Sequence, residues 1–258
     1  MGFSPFEPRI SKFMSNIVLL DRNSHRKLRV HSPPAAQYGD NQRFVSVVVN
    51  EFPAVSLHYP ILFSKEADTG QFYCGAMLGF DSGENLFLDD YKTSRAYRPL
   101  NLQRGPFFTA GADLAIDLAH PRVTPSGDQE VFTDTGEPST YLQSIMTLMR
   151  ELRPGVERTR IFIDTLMNLK LIEPITINAR FDDGVQREFT GLYTINRDQL
   201  RDLPDAAVLD LFRRGYLFLI HLMSNSLNHV SALAQRKNKS FLSNTTPTEE
   251  ARPASGLS

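Results

Sequence analysis

The apolar residues change their spacing near Ser139, from strand-like runs to helical intervals, and no other feature limits the fold as much. Before that point the apolar stretches are short and rich in β-branched and aromatic residues: RFVSVVVNEF (43–52), HYPILF (58–63) and FYCGAMLGF (72–80). Such runs, bounded by turn residues, read as strands. After it, Leu142, Ile145, Met146, Met149 and Leu152 recur at the three- and four-residue intervals of one helix face. Strands followed by helices, rather than strands alternating with helices, predict an α+β fold and argue against a doubly wound parallel sheet.

The details follow from the punctuation. A strand is predicted over about 43–50, ended by Pro53, which lacks a backbone donor. The segments 58–63 and 72–80 flank KEADTGQ and predict two antiparallel strands joined by a loop containing Gly70. Residues 81–110 have no clear period, and ADLAIDLA (112–119) is a further strand candidate. A helix begins after Ser139 with Thr140 and Gln143 as a capping box, and Pro154-Gly155 breaks it. A second helix runs to about Leu171 with Phe162, Leu166 and Leu169 on one face. ITINARF (175–181) and QREFTGLYTI (186–195) then form one β-hairpin around Asp182-Asp183-Gly184. Pro204 to Arg214 reads as a helix burying Val208, Leu211 and Phe212 and ending at Gly215. A last helix spans about 216–236, with Arg236, Lys237 and Lys239 near its C-terminus, where the helix dipole favours cations. The expected organisation is a strand-rich N-terminal half and a helical C-terminal half within one domain over 17–239. Residues 1–16 are expected to be a flexible lead-in and 240–258 a disordered tail.

At 258 residues with 41% hydrophobic content, the chain is long enough to build a sizeable core. Its single cysteine, Cys74, cannot form an internal disulfide, so nothing ties the fold to an oxidising compartment. A formal charge of -1, with basic residues scattered among 29 acidic ones, argues against nucleic acid as a partner. The first twenty residues lack the unbroken apolar block of a secretory signal. YLFLIHLMSNSLNHVSALAQ (216–235) carries no formal charge, but His221, Ser224, Asn225, Ser226, Asn228, His229 and Ser231 make it too polar for an integral membrane span. A cytoplasmic location is the expectation.

Several chemistries find no support. There is no G-x-x-x-x-G-K-[ST] or G-x-G-x-x-G phosphate loop and no G-x-S-x-G nucleophile elbow. None of the six histidines stands in an H-x-[DE] or H-E-x-x-H arrangement; Asp113, Asp117 and His120 form a candidate cluster whose ordinary reading is a polar strand end. His221 with Asn225 or Asn228 reads as a core hydrogen-bond network. Cys74, within an apolar strand, reads as a small hydrophobe. No cofactor or metal is expected. The unusual polar residues gather in the loop-rich middle: Glu51, His58, Tyr59, Glu84, Asn85 and Arg104, with Phe107 beside them. Glu51 before Phe52-Pro53 caps a strand end, or Arg104 pairs with Glu84 or Glu51 to brace the loops. The other reading of the same residues is a small polar-lined pocket under aromatic rings.

The blocks LLDRNSHRKLRV (19–30), EFP with YPILF (51–63), GENLFLDD (83–90), LQRGPF (102–107), VFTDTGEPSTYLQ (131–143), LIEP (171–174), GLYTIN (191–196) and the closing HLMSNSLNHVSALAQRKN resemble, in order, the bacterial SapC family over about 17–240. The chain departs from that family in having no tryptophan, with Tyr91 standing where one is expected after GENLF. The resemblance implies an accessory protein tied to a surface layer or to a nutrient-uptake or modification system. Its implied partners are proteins or peptides, with flavin-dependent halogenases, cupin-like proteins and TonB-dependent receptors as the family's genomic neighbours. A peptide-transport permease label, also attached to the family, conflicts with the missing membrane span. Two other functions stay open: an enzyme with its site between the GENLF and QRGPF loops, and a structural surface-layer subunit.

Overall fold

The computed structural model describes residues 16–245 apart from 112, 183 and 185. The expected lead-in, all but Asn16, and residues 246–258 of the expected tail lie outside these. The fold is α+β, with antiparallel sheets and several helices. Ten strands are described: β1 (Ile17–Leu19), β2 (Arg29–Val30), β3 (Phe44–Ser46), β4 (Ile61–Lys65), β5 (Phe72–Met77), β6 (Phe107–Ala110), β7 (Asp113–Asp117), β8 (Gln129–Glu130), β9 (Ile172–Arg180) and β10 (Gln186–Ile195). The main sheet has the order β3-β5-β4-β10-β9, a second sheet the order β1-β7-β6, and β2 pairs with β8. The helices are α1 (Phe52–Val55), α2 (Leu88–Lys92), α3 (Leu100–Gln103), α4 (Thr140–Asn168), α5 (Arg197–Arg201), α6 (Asp205–Arg213), α7 (Tyr216–Ser226) and α8 (His229–Thr245).

The pair β4–β5 and the hairpin β9–β10 form as predicted, the latter with Gly184 at φ +79° in its turn. Pro174 sits inside β9 opposite Tyr193, on the outermost strand of the sheet, where a missing ladder donor is tolerated. The strand expected over 43–50 is shorter. After Ser46 the chain turns into a 3-10 segment, Val49–Glu51, and then into α1. Pro53 therefore opens a helix instead of closing a strand, and in a first helical turn its missing N–H loses no bond.

Pro154-Gly155 does not break the helix after Ser139; α4 runs through both residues. Its cap is Ser139, whose Oγ accepts the Leu142 N–H at 3.1 Å, while Gln143 donates to Pro138 O, so the capping box expected from Thr140 is not the one used. An internal proline costs about 3 kcal/mol. Burial on both sides of it offsets that cost. Leu142, Ile145, Leu148, Met149 and Leu152 pack into a smaller core with Phe107 and Ile116. Phe162, Ile163 and Leu166 pack into a larger one under the main sheet with Phe52, Phe63 and Ile220. Gly155 serves close approach: a Cβ there would lie 2.9 Å from Val48 Cγ2. One turn on, Thr159 Oγ1 donates to Gly155 O at 2.7 Å and accepts the Val49 N–H at 2.9 Å.

The helix expected over 216–236 is two helices, parted at Leu227-Asn228. The last residue of α7, buried Ser226, accepts the Ile61 N–H at 2.8 Å and so ties that end to β4. α8 continues to Thr245, inside the stretch 240–258 expected as the tail. Leu211 is buried in α6 as expected, but Phe212 is 68% exposed. Among the described residues no helix is long and apolar enough to cross a membrane.

Candidate functional site

Glu84 takes Lys237 as its cation, not Arg104: Glu84 Oε1 meets the Lys237 ammonium, which also reaches Asp81 Oδ2 at 2.7 Å. Its Oε2 accepts the Phe80 and Asp81 N–H groups at 2.8 and 3.2 Å. Gly79 leaves room for this turn, since a Cβ there would lie 2.8 Å from Glu84 Cγ and 2.9 Å from its carbonyl oxygen. Asn85 Oδ1 accepts the Phe87 N–H at 3.0 Å and its amide donates to Asp40 O at 2.8 Å. Burial works to lower the Lys237 pKa, but the hydrogen bonds that Lys237 donates to Asp81 and Glu84 outweigh it and hold the ammonium above its usual range.

Glu51 has a different setting. Its Oε1 accepts the Val48 N–H at 2.9 Å; its Oε2 accepts the Leu100 N–H at 3.0 Å and the Tyr97 hydroxyl at 3.1 Å. Burial pushes this carboxyl up to about 7 against the downward pull of the three neutral donors. Tyr59, fully buried, donates to Tyr97 O at 2.5 Å, so Glu51 and Tyr59 join through Tyr97. His58 stacks obliquely on Tyr59, and its pKa is lowered by burial and then by the charges of His229 and Arg236.

Arg104 Nε donates to Asn101 Oδ1 at 3.0 Å and its Nη1 to Phe107 O at 2.7 Å, with the guanidinium 4.3 Å above the Phe108 ring. Phe107 is fully buried in the smaller core. The seven residues singled out in the sequence therefore fall into three places: Glu84 with Asn85, Glu51 with Tyr59 and His58, and Arg104 with Phe107.

A groove of about 1150 Å³ runs between the two sheets. Its walls include β3, Phe80, Arg104, Phe108, His120 and the irregular stretch of β10 around Gly191. β3 is an edge strand. Val47 donates to Cys74 O and Arg43 O accepts from Leu78, so residues 43, 45 and 47 face β5, and the backbone groups of Phe44 and Ser46 point the other way. Asn101 covers one of them, donating to Ser46 O at 2.8 Å. Among the described residues no partner is seen for the Phe44 N–H and C=O or the Ser46 N–H. Phe44 lays its ring over Gly75, where a Cβ would fall 2.1 Å from the ring.

Asp117 and His120 stand on the groove, but no group of three potential ligands able to hold a metal ion occurs among the described residues. Asp117 Oδ1 accepts the Asn16 and Ala119 N–H groups, and burial followed by the charge of Arg122 lowers His120 to about 4. What the sequence reading missed is a buried cluster behind the groove: Asp40 accepts from Arg122 Nη2 at 2.5 Å and from Arg98 Nη2 at 3.3 Å. Arg122 also donates to the carbonyls of His31 and Pro33, and is 2% exposed. Its members lie far apart in sequence in segments without a period, so no spacing signalled them.

The SapC family model matches residues 20–233. No curated protein and no solved structure matches the chain.

Proposed function

The chain belongs to the SapC family, and from that premise we propose that it is an accessory binding protein that takes up an extended protein or peptide segment along the edge of β3. The observation that carries this reading is the row of outward-facing backbone groups at Phe44 and Ser46 on the wall of the groove. Their alternation matches another extended backbone, which would add to the sheet as a sixth strand. Arg43, Lys65, Arg104 and Glu188 on the same walls, with Phe44, Tyr73 and Phe108, offer charged and aromatic contacts to the segment's side chains. Partners of this kind include the halogenase, cupin-like and receptor proteins that accompany the family.

Ser46→Pro removes the outward N–H while leaving the bonds of Val45 and Val47 to β5 in place. Peptides selected from a displayed random library on the wild-type protein are expected to lose at least ~10-fold in affinity for this variant. Equal binding by the variant, or no selectable peptide, rejects the reading.

A second reading, an enzyme, draws on Glu51, a carboxyl at about 7 hydrogen-bonded to a tyrosine whose ring borders a cavity. It requires that Glu51→Gln abolish a turnover that Ser46→Pro leaves intact.

A further inference from the structure

A second cavity, of about 450 Å³, lies apart from the edge of β3 and shares only Gly105 and Arg122 with the groove. Three tyrosines, Tyr91, Tyr97 and Tyr141, border it together with Arg98, Arg122 and the apolar side chains of Ile145 and Leu148 from α4. Its charge is unbalanced. Arg98 and Arg122 share one carboxylate, Asp40, and no other acidic partner in salt-bridge range of either is seen among the described residues. Among the described residues one buried atom of the wall, Arg98 Nε, has no hydrogen-bond partner. Buried polar atoms normally find one, so the wall is incomplete as it stands. One added monoanion would neutralise the surplus charge. Its body would rest against the tyrosine rings and the apolar face of α4.

We propose that this cavity binds a small organic carboxylate with a flat apolar body, its head directed to Arg98 and its body held among Tyr91, Tyr97, Tyr141 and Leu148. A carboxylate oxygen would accept the open Nε–H of Arg98, whose Nη1 and Nη2 already donate to Ser32 O, Leu102 O and Asp40, and a charge-assisted bond of that kind is stronger than a neutral one. The cavity size suits a single ring system with a short acidic arm.

The test is isothermal titration calorimetry with phenylacetate, with phenylacetamide as the neutral isostere and sodium chloride as the plain anion. Phenylacetate is expected to bind saturably, and the other two at least ~10-fold more weakly, since the amide lacks the negative charge and chloride the apolar body. Because the protein has no tryptophan, tyrosine emission provides a second readout, and phenylacetate should change it over the same concentration range. Arg98→Gln should remove binding. Ser144→Trp, an exposed position on α4 that borders the cavity, should block it while the fold and the peptide affinity of the β3 edge are retained. No saturable heat with phenylacetate, equal binding of the amide or of chloride, or unaltered binding by Ser144→Trp would each overturn the proposal. None of these outcomes bears on Ser46→Pro, so the two sites succeed or fail separately.

Discussion

Glu84 and Glu51 both hold backbone N–H groups with their side chains, yet the surroundings treat their charge in opposite ways. Glu84 is joined to Lys237 and through it to Asp81, so its negative charge has a buried partner. Glu51 has three donors and, among the described residues, no cation in contact, and burial dominates. A carboxylate matched by an ammonium can fasten a distant helix; one matched only by dipoles keeps a proton within reach near neutral pH. Position in the sequence did not separate the two, because the deciding group for Glu84 lies 153 residues away.

The largest effect should come from removing the cation. Lys237→Met strands Glu84, while half-exposed Asp81 keeps Arg187 at 3.9 Å, and is expected to cost about 4 kcal/mol in urea unfolding, in the range for a broken buried pair. Lys237 has a raised folded pKa, so its stabilisation is complete below about 10.5 and fades as the pH climbs above that value. A loss under 1 kcal/mol would mean that the pair is fully solvated and that the contrast with Glu51 is false.

Next comes pH itself. Glu51 has a folded pKa of about 7 against 4.5 for the free group, so between these values the folded state holds the extra proton. Stability from this group therefore falls as pH rises from 4.5 to 7, by up to about 3 kcal/mol in all at roughly 1.4 kcal/mol per unit. Relative to wild type, Glu51→Gln should gain stability across that window whatever its constant offset. A difference that stays flat from pH 4.5 to 7 would place Glu51 with Glu84.

Gly79→Ala pushes a methyl against the backbone of Glu84 and should cost about 2 kcal/mol by overpacking, while leaving the pH profile of Glu51 unchanged. The smallest effect is expected for Tyr97→Phe, about 1.5 kcal/mol for one hydrogen bond to a carboxylate. Its more telling sign is a further rise of the Glu51 titration, followed by the pH dependence of unfolding.

Regular patterns in the sequence translated well. The hairpin β9–β10, the pair β4–β5, strand β7 and the buried face of α4 follow from period and turn residues alone. The failures have physical causes. Pro154 reads as a stop by propensity, but packing of α4 into both cores overrides it. Strand β6 hides at the end of an aperiodic stretch, because a two-sided neighbour in β7, not its own alternation, defines it. Of the candidate site, Glu51, Tyr59, Glu84, Asn85 and Arg104 were visible as unusual residues. Their partners Tyr97, Asp40 and Lys237 were not, since long-range pairing leaves no spacing to read. The open edge of β3 is likewise a property of the whole sheet, known only once the order β3-β5-β4-β10-β9 is known.

The continuity of α4 also fixes how the molecule should come apart. One rod of 29 residues supplies side chains to both cores, so neither can lose its packing without withdrawing part of the other's wall. Calorimetry should record one cooperative melting event. A chain cut at Pro154 should yield two fragments that aggregate separately and recover a fold only when mixed.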